Sequence, residues 1–145
     1  MKKSLLALAT GSFALGFAEF VMMGILPATA TGLRVSVPDA GDFIAAYALG
    51  VGAGTLFLVC GRRVPPKRLL LGVVALVAVG NAAAACAPSA EALVAARLVS
   101  GLPHGAFFGT ATLVARELAH PGREGPAVSL LVLGQPAANL VRLPR

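Results

Sequence analysis

Charge is scarce in this chain. Aspartate and glutamate together number 6, and charged residues make up 12% of the 145, against about 25% in a water-soluble domain. The few charges cluster and leave long runs with almost none, which excludes a soluble globular domain. Cysteine is as scarce, with 2 residues. Cys60 and Cys86 close different hydrophobic runs near opposite faces of a membrane, far beyond the roughly 7 Å Cα separation that a disulfide tolerates. Neither a bridge nor a metal cluster is expected. No phosphate loop, metal-ligand spacing or nucleophile–base constellation occurs, so soluble enzymology and a bound cofactor have no footing. The alternation of membrane strands is missing too, and helices are then the only way to satisfy this backbone in lipid.

What is present is apolar sequence: 57% of residues are hydrophobic and the mean hydropathy is +0.85. Runs near 20 residues match a hydrocarbon core of roughly 30 Å at about 1.5 Å per helical residue. Four such runs extend from Ser4 to Ala30, Asp42 to Cys60, Leu69 to Cys86 and Glu91 to Ala115, and a fifth, weaker stretch covers Gly125 to Leu143. The expected fold is an all-α membrane protein of four to five transmembrane helices. The opening "MKKSLLALATGSFALG" has the look of a signal peptide, with Ala28-Thr29-Ala30 as a small-residue cleavage site. Its apolar stretch is longer than the roughly 7–15 residues of such a region, and Glu19 sits inside it. It reads as a helix that stays.

The basic residues orient the chain. Lys2 and Lys3 precede the first run, Arg62, Arg63, Lys67 and Arg68 lie between the second and third, and Arg116 and Arg123 follow the fourth. All fall on one side, whereas the short internal loops of the other side hold Arg34 alone. The positive-inside rule puts the N-terminus and the "GRRVPPKR" loop in the cytoplasm. That loop admits two readings, an electrostatic anchor on anionic lipid or a cytoplasmic gate. The +6 net charge points to a lipid bilayer as partner and not to nucleic acid.

One greasy stretch, "RLVSGLPHGAFFG" from Arg97 to Gly109, carries an arginine, a histidine, a proline and three glycines. At 100° per residue, Arg97 and His104 lie within about 20° of each other and roughly 10 Å apart along the axis. Gly101 and Gly105 form an adjoining small-residue stripe that lets another backbone approach. Pro103 removes the hydrogen bond to the carbonyl of Val99 and is expected to bend the helix. Counted from the outer ends, Arg97 lies at roughly 10 Å depth, Glu19 at roughly 16 Å and His104 at roughly 20 Å. A carboxylate in lipid is costly alone and much less so beside a basic group. Glu19 is therefore expected to face Arg97 or His104 across a central cavity and to exchange a proton there. Plainer readings stand beside this one: Arg97 snorkelling to headgroups, and His104 bonded to a backbone carbonyl. In the second run, "YALGVGAG" sets Gly50 and Gly54 four apart as a packing face.

Three stretches, "LGFAEFVMMGILP", "YALGVGAG" and "RLVSGLPHGAFFG", resemble the N-terminal part of a major facilitator superfamily transporter, in its drug/sugar-efflux (arabinose-efflux-permease-like) group. The third, an arginine followed by spaced glycines, is the most specific. The resemblance implies part of a six-helix half and proton-coupled efflux of a small sugar or drug-like solute by alternating access. It gives Arg97, Gly101 and Gly105 the fourth-helix roles in coupling and packing, and Glu19 the place of a first-helix acid. Two departures stand out. Arg62 and Pro65 occupy the aspartate and second glycine positions of the family's cytoplasmic loop, and "GQPAANL" only partly echoes a fifth-helix glycine–proline motif. Members have about twelve spans with the substrate between two halves, so a truncated form lacking its second half is expected, with Arg142 and Arg145 where further helices would follow. Two alternatives remain at this stage: a four-helix antiporter of the small multidrug-resistance type acting as a dimer, with Glu19 as its acid, and a non-transporting membrane fragment that binds a partner.

Overall fold

A computed structural model describes residues 2–56 and 63–140. Among the described residues five helices follow one another: α1 (Lys2–Leu33), α2 (Val37–Gly54), α3 (Pro66–Ala85), α4 (Ala90–Leu118) and α5 (Glu124–Leu140). Cys60, Arg62, Arg142 and Arg145 lie outside the described residues, as do the last residues of the second and fifth expected spans.

Local chemistry explains where the helices begin and end, and corrects the hydropathy-based bounds. α2 starts at Val37, not Asp42, because Ser36 caps it by accepting a hydrogen bond from the Asp39 amide at 3.2 Å, with proline in the first turn. α3 starts at Pro66, a residue pre-set for a first helical position, so Lys67 and Arg68 belong to its opening turn and not to a loop. Arg63, Lys67 and Arg68 are all exposed. Ser89 caps α4 by accepting from the Ala92 amide at 3.2 Å. α1 runs through Pro27 and stops where Arg34 turns left-handed at φ 58°, with the Val35 amide donating to the Ala30 carbonyl at 3.0 Å. α4 continues as one helix through Pro103.

Among the described residues, three helices are long and apolar enough to cross a membrane: α1, α3 and α4. In α2, Asp39 and Asp42 near the start lower the mean hydropathy, and α5 is shorter, with 17 residues.

Contacts between α1 and α4 descend one helix as they ascend the other, whereas α2 and α4 run in parallel, with Phe43 against Arg97 and Tyr47 against His104. Two apolar clusters result. One joins Leu8, Leu15, Val73, Phe107 and Leu131 near the start of α1. The other joins Met22, Ala30, Phe43 and Leu93 near its end. Arg97 and His104 lie between them, whereas Ser12 and Thr110 lie among the residues of the first.

In lipid no hydrophobic force drives one helix onto another, so close packing has to hold the bundle. Glycine supplies it. A Cβ on Gly50 would overlap the Leu98 carbonyl oxygen and lie 3.1 Å from the Gly101 Cα; one on Gly54 would overlap the Leu102 carbonyl oxygen. Gly101 meets the Tyr47 carbonyl in the same way, and a Cβ on Gly105 would stand 2.8 Å from the Thr55 methyl. Gly80 brings α3 against Ser100 of α4, and Gly134 brings α5 against Ser12 and Phe13 of α1. α4 is thus the central post of the bundle, and α3, with Val73 and Gly80 as its buried residues, is the most peripheral.

Candidate functional site

The polar layer is assembled from four helices. On α4, Arg97 is 2% exposed. Its Nη1 donates to the Ala18 carbonyl of α1 at 2.9 Å, and its Nε donates to the Phe43 carbonyl of α2 at 3.4 Å. The guanidinium carbon lies 4.3 Å from the centre of the Tyr47 ring, a cation–π geometry that is strengthened where water is excluded. Arg97 therefore ties α1 and α2 to α4. This overturns the snorkelling reading, since its donors face inward.

Glu19 and Arg97 do not form a direct ion pair. Successive residues of a helix point about 100° apart, and at the level of Arg97 α1 presents the carbonyl of Ala18. The Glu19 side chain lies instead on the side of His104 and α5. Its Oε2 is 3.9 Å from His104 Nε2 and accepts a hydrogen bond from Gln135 Nε2 at 3.0 Å. The carboxylate side chain is 33% exposed, against 9% for that of His104, so it forms the open edge of the layer.

His104 is held on its other side by the Tyr47 hydroxyl, 3.1 Å from Nδ1. The two rings meet edge-on at 90°, and Phe108 packs on the imidazole with ring centres 5.0 Å apart. The partner of His104 is therefore a side chain, not a backbone carbonyl. A continuous polar chain results, from the Arg97 guanidinium through Tyr47 and His104 to Glu19 and Gln135. Ser100 donates to the Arg97 carbonyl at 3.0 Å, while the buried hydroxyls of Ser12 and Thr110 have no partner among the described residues. A cavity of about 370 Å³ opens beyond Arg97 toward the end of α1, between α1, α3 and α4, with Thr29, Asn81 and Arg97 as its polar lining.

Sequence reasoning brought Glu19, Arg97 and His104 together and missed Tyr47 and Gln135. The signals were present: Tyr47 is the only tyrosine of the chain, and Gln135 its only glutamine, set in an apolar run. Arg63, Lys67 and Arg68 lie elsewhere, at the end of the bundle where Ser4, Lys67 and Glu117 line a common groove.

Residues 8–142 match the Major Facilitator Superfamily. The chain is 43% identical over 145 residues to the putative transporter AraJ of Escherichia coli, covering 99% of this chain and 37% of that protein. It is 39% identical to the inner membrane transport protein YdhP of the same organism over 97% of this chain and 36% of that one. A chloramphenicol resistance protein of Streptomyces lividans is 32% identical over 99% of this chain and 37% of its own length. The chain thus spans little more than a third of these relatives. No solved structure matches it.

Proposed function

The chain belongs to the Major Facilitator Superfamily, and from that premise and the polar layer we propose that it forms part of a multi-pass cell-membrane transporter that exports a small sugar or drug-like solute in exchange for protons. Glu19 is the proton-carrying group in this reading, and Arg97 the pin that keeps α1 and α2 in register with α4. One observation carries it: an acidic side chain stands at the open edge of an interior polar layer, beside an imidazole at 3.9 Å and hydrogen-bonded to an amide at 3.0 Å. Intramembrane carboxylates are rare because they are costly, and they mark proton and substrate paths. Alternating access then needs two arrangements of the bundle whose balance shifts with the charge on Glu19 and with solute. The similarity to a chloramphenicol resistance protein favours export of drug-like solutes, and a second helical bundle facing Glu19 and Gln135 would complete the path. The family match displaces the small multidrug-resistance alternative.

The same reading places the N-terminus in the cytoplasm. In support, the groove that joins Ser4, Lys67 and Glu117 gathers the basic ends of α1, α3 and α4 at one end of the bundle, as the positive-inside rule requires.

Everted vesicles from cells expressing the chain, alone and beside the complementary segment of a relative, test both parts. Uncoupler-sensitive accumulation of a pentose or of chloramphenicol is expected in everted vesicles and not in right-side-out ones. Glu19→Gln is expected to bring it down to the level of vesicles without the protein. Equal uptake by wild type and Glu19→Gln, or uptake that survives collapse of the proton gradient, contradicts the proposal.

A further inference from the structure

His104 is bracketed by two groups of different hydrogen-bonding character. Nδ1 faces the Tyr47 hydroxyl at 3.1 Å, which can donate or accept. Nε2 faces Glu19 Oε2 at 3.9 Å, and an ionised carboxylate can only accept. A neutral imidazole carries one proton. On Nδ1, it would leave the Nε2 lone pair turned toward a carboxylate, which is repulsive. It would also leave the Tyr47 O–H without an acceptor among the described residues, in a side chain that is 2% exposed. On Nε2, it points an N–H at Glu19 and frees Nδ1 to accept from Tyr47. The Tyr47 hydroxyl then has its acceptor, and the N–H dipole points the favourable way toward the carboxylate across 3.9 Å.

We infer that Tyr47 is a positioning residue that fixes His104 as the neutral Nε2–H tautomer, so that the proton entering this cluster is carried by Glu19 and the imidazole stays uncharged. An imidazolium would turn an N–H toward the Tyr47 oxygen and strand the hydroxyl hydrogen in a dry place. It would also set a second cation near the Tyr47 ring, which already carries the guanidinium of Arg97 at 4.3 Å. The proton binds to a Glu19 oxygen and leaves from it; none crosses to the ring. While Glu19 is ionised, its negative charge attracts the His104 N–H across 3.9 Å. Protonation removes that attraction, which loosens α1 from α4 at this level. Among the described residues, the ionisable groups around the pair are Tyr47 from α2 and Arg97 from α4. At this depth α5 contributes the Gln135 amide, and α3 no ionisable side chain.

The inference rests on Glu19 as the proton-carrying group, but its test needs no transport. The chain has 2 histidines, so ¹⁵N-histidine labelling of the 145-residue chain in detergent micelles, with His120→Gln, leaves the His104 ring alone in the spectrum. The expected result is a pyridine-type nitrogen at Nδ1 and a neutral ring from about pH 5 to about pH 8, the range over which an ordinary histidine changes charge. Tyr47→Phe keeps the ring beneath Arg97 and removes the hydroxyl. It is expected to replace the single tautomer by a mixture and to let the ring charge within that range. A pyridine-type nitrogen at Nε2, charging of His104 in the wild type, or a Tyr47→Phe spectrum identical to wild type overturns the inference. Should Tyr47→Phe fail to fold, the wild-type spectrum decides by itself. Failure here leaves the transport role of Glu19 untouched, and unaltered transport in Glu19→Gln leaves the tautomer untouched.

Discussion

Gly54→Ala is expected to loosen the bundle severely, although it adds one methyl group to a residue in a helix. Alanine is the better helix former by roughly 0.5–1 kcal/mol, so an isolated α2 would gain. In the bundle, the new Cβ would overlap the Leu102 carbonyl oxygen and stand 2.6 Å from its carbon and 2.9 Å from the Leu102 Cα. Those atoms are backbone of the central helix and cannot rotate aside, so α2 and α4 have to separate along their whole contact. Overpacking costs about 1–3 kcal/mol where side chains can yield, and here the upper end or more is expected. For a chain of this size that corresponds to a fall in Tm of roughly 6–12 °C. Gly52, two residues away on the same helix, has nothing within 4 Å of the place a methyl group would take, so Gly52→Ala is expected to be neutral or slightly stabilising. Thermal unfolding of the two variants in detergent separates a contact effect from helix propensity. Equal behaviour would remove the glycine-lined contact as the element that holds α2 to α4.

Arg97→Lys is expected to be worse than Arg97→Met. Burial of a cation costs several kcal/mol. Arg97 offsets this with two charge-assisted hydrogen bonds of about 1.5–3 kcal/mol each and a desolvated cation–π contact of about 2 kcal/mol. Lysine retains the charge but lacks the planar fork, so it cannot reach the Ala18 and Phe43 carbonyls and stack on Tyr47 together. Losing one hydrogen bond and the stacking predicts a cost of about 3–5 kcal/mol. Methionine loses all three contacts but also the desolvation penalty. The two carbonyls belong to helix interiors and keep their own helical donors, so the net change is expected to be small. Arg97→Met is therefore expected to fold, with α1 and α2 no longer tied at this level, and Arg97→Lys to fold poorly. Melting curves that rank the lysine variant above the methionine one would contradict it.

The helices were legible because lipid removes alternatives: a long run without charge can satisfy its backbone in one way. Their starts were less legible, because hydropathy is blind to Ser36 and Pro66, whose capping and fixed φ set the first turns of α2 and α3. Glu19, Arg97 and His104 stood out as charges in oil, and the 3.6-residue period was enough to put Arg97 and His104 on one face. Periodicity could not say which neighbour each would meet. Arg97 and Glu19 lie at similar depth, yet the direction of residue 18 against residue 19 on α1 gives the arginine a carbonyl and the histidine the carboxylate. Tyr47 and Gln135 escaped notice because neither bears a charge, and their importance depends on which helices pack together. That pairing is set by glycines whose contacts become visible only in three dimensions.

The central claim is that Glu19 lines an interior, water-reached path and does not face lipid. Single-cysteine chains test it most directly: Cys60 and Cys86 replaced by alanine, with a cysteine at Glu19 or at the outward-facing Leu49, which is 67% exposed. A charged, water-soluble thiol reagent applied to the reconstituted chain is expected to label Glu19→Cys and to leave Leu49→Cys unreacted. A position 19 that refuses the charged reagent but reacts with a lipid-soluble maleimide, as position 49 does, would place the carboxylate against acyl chains and contradict the account.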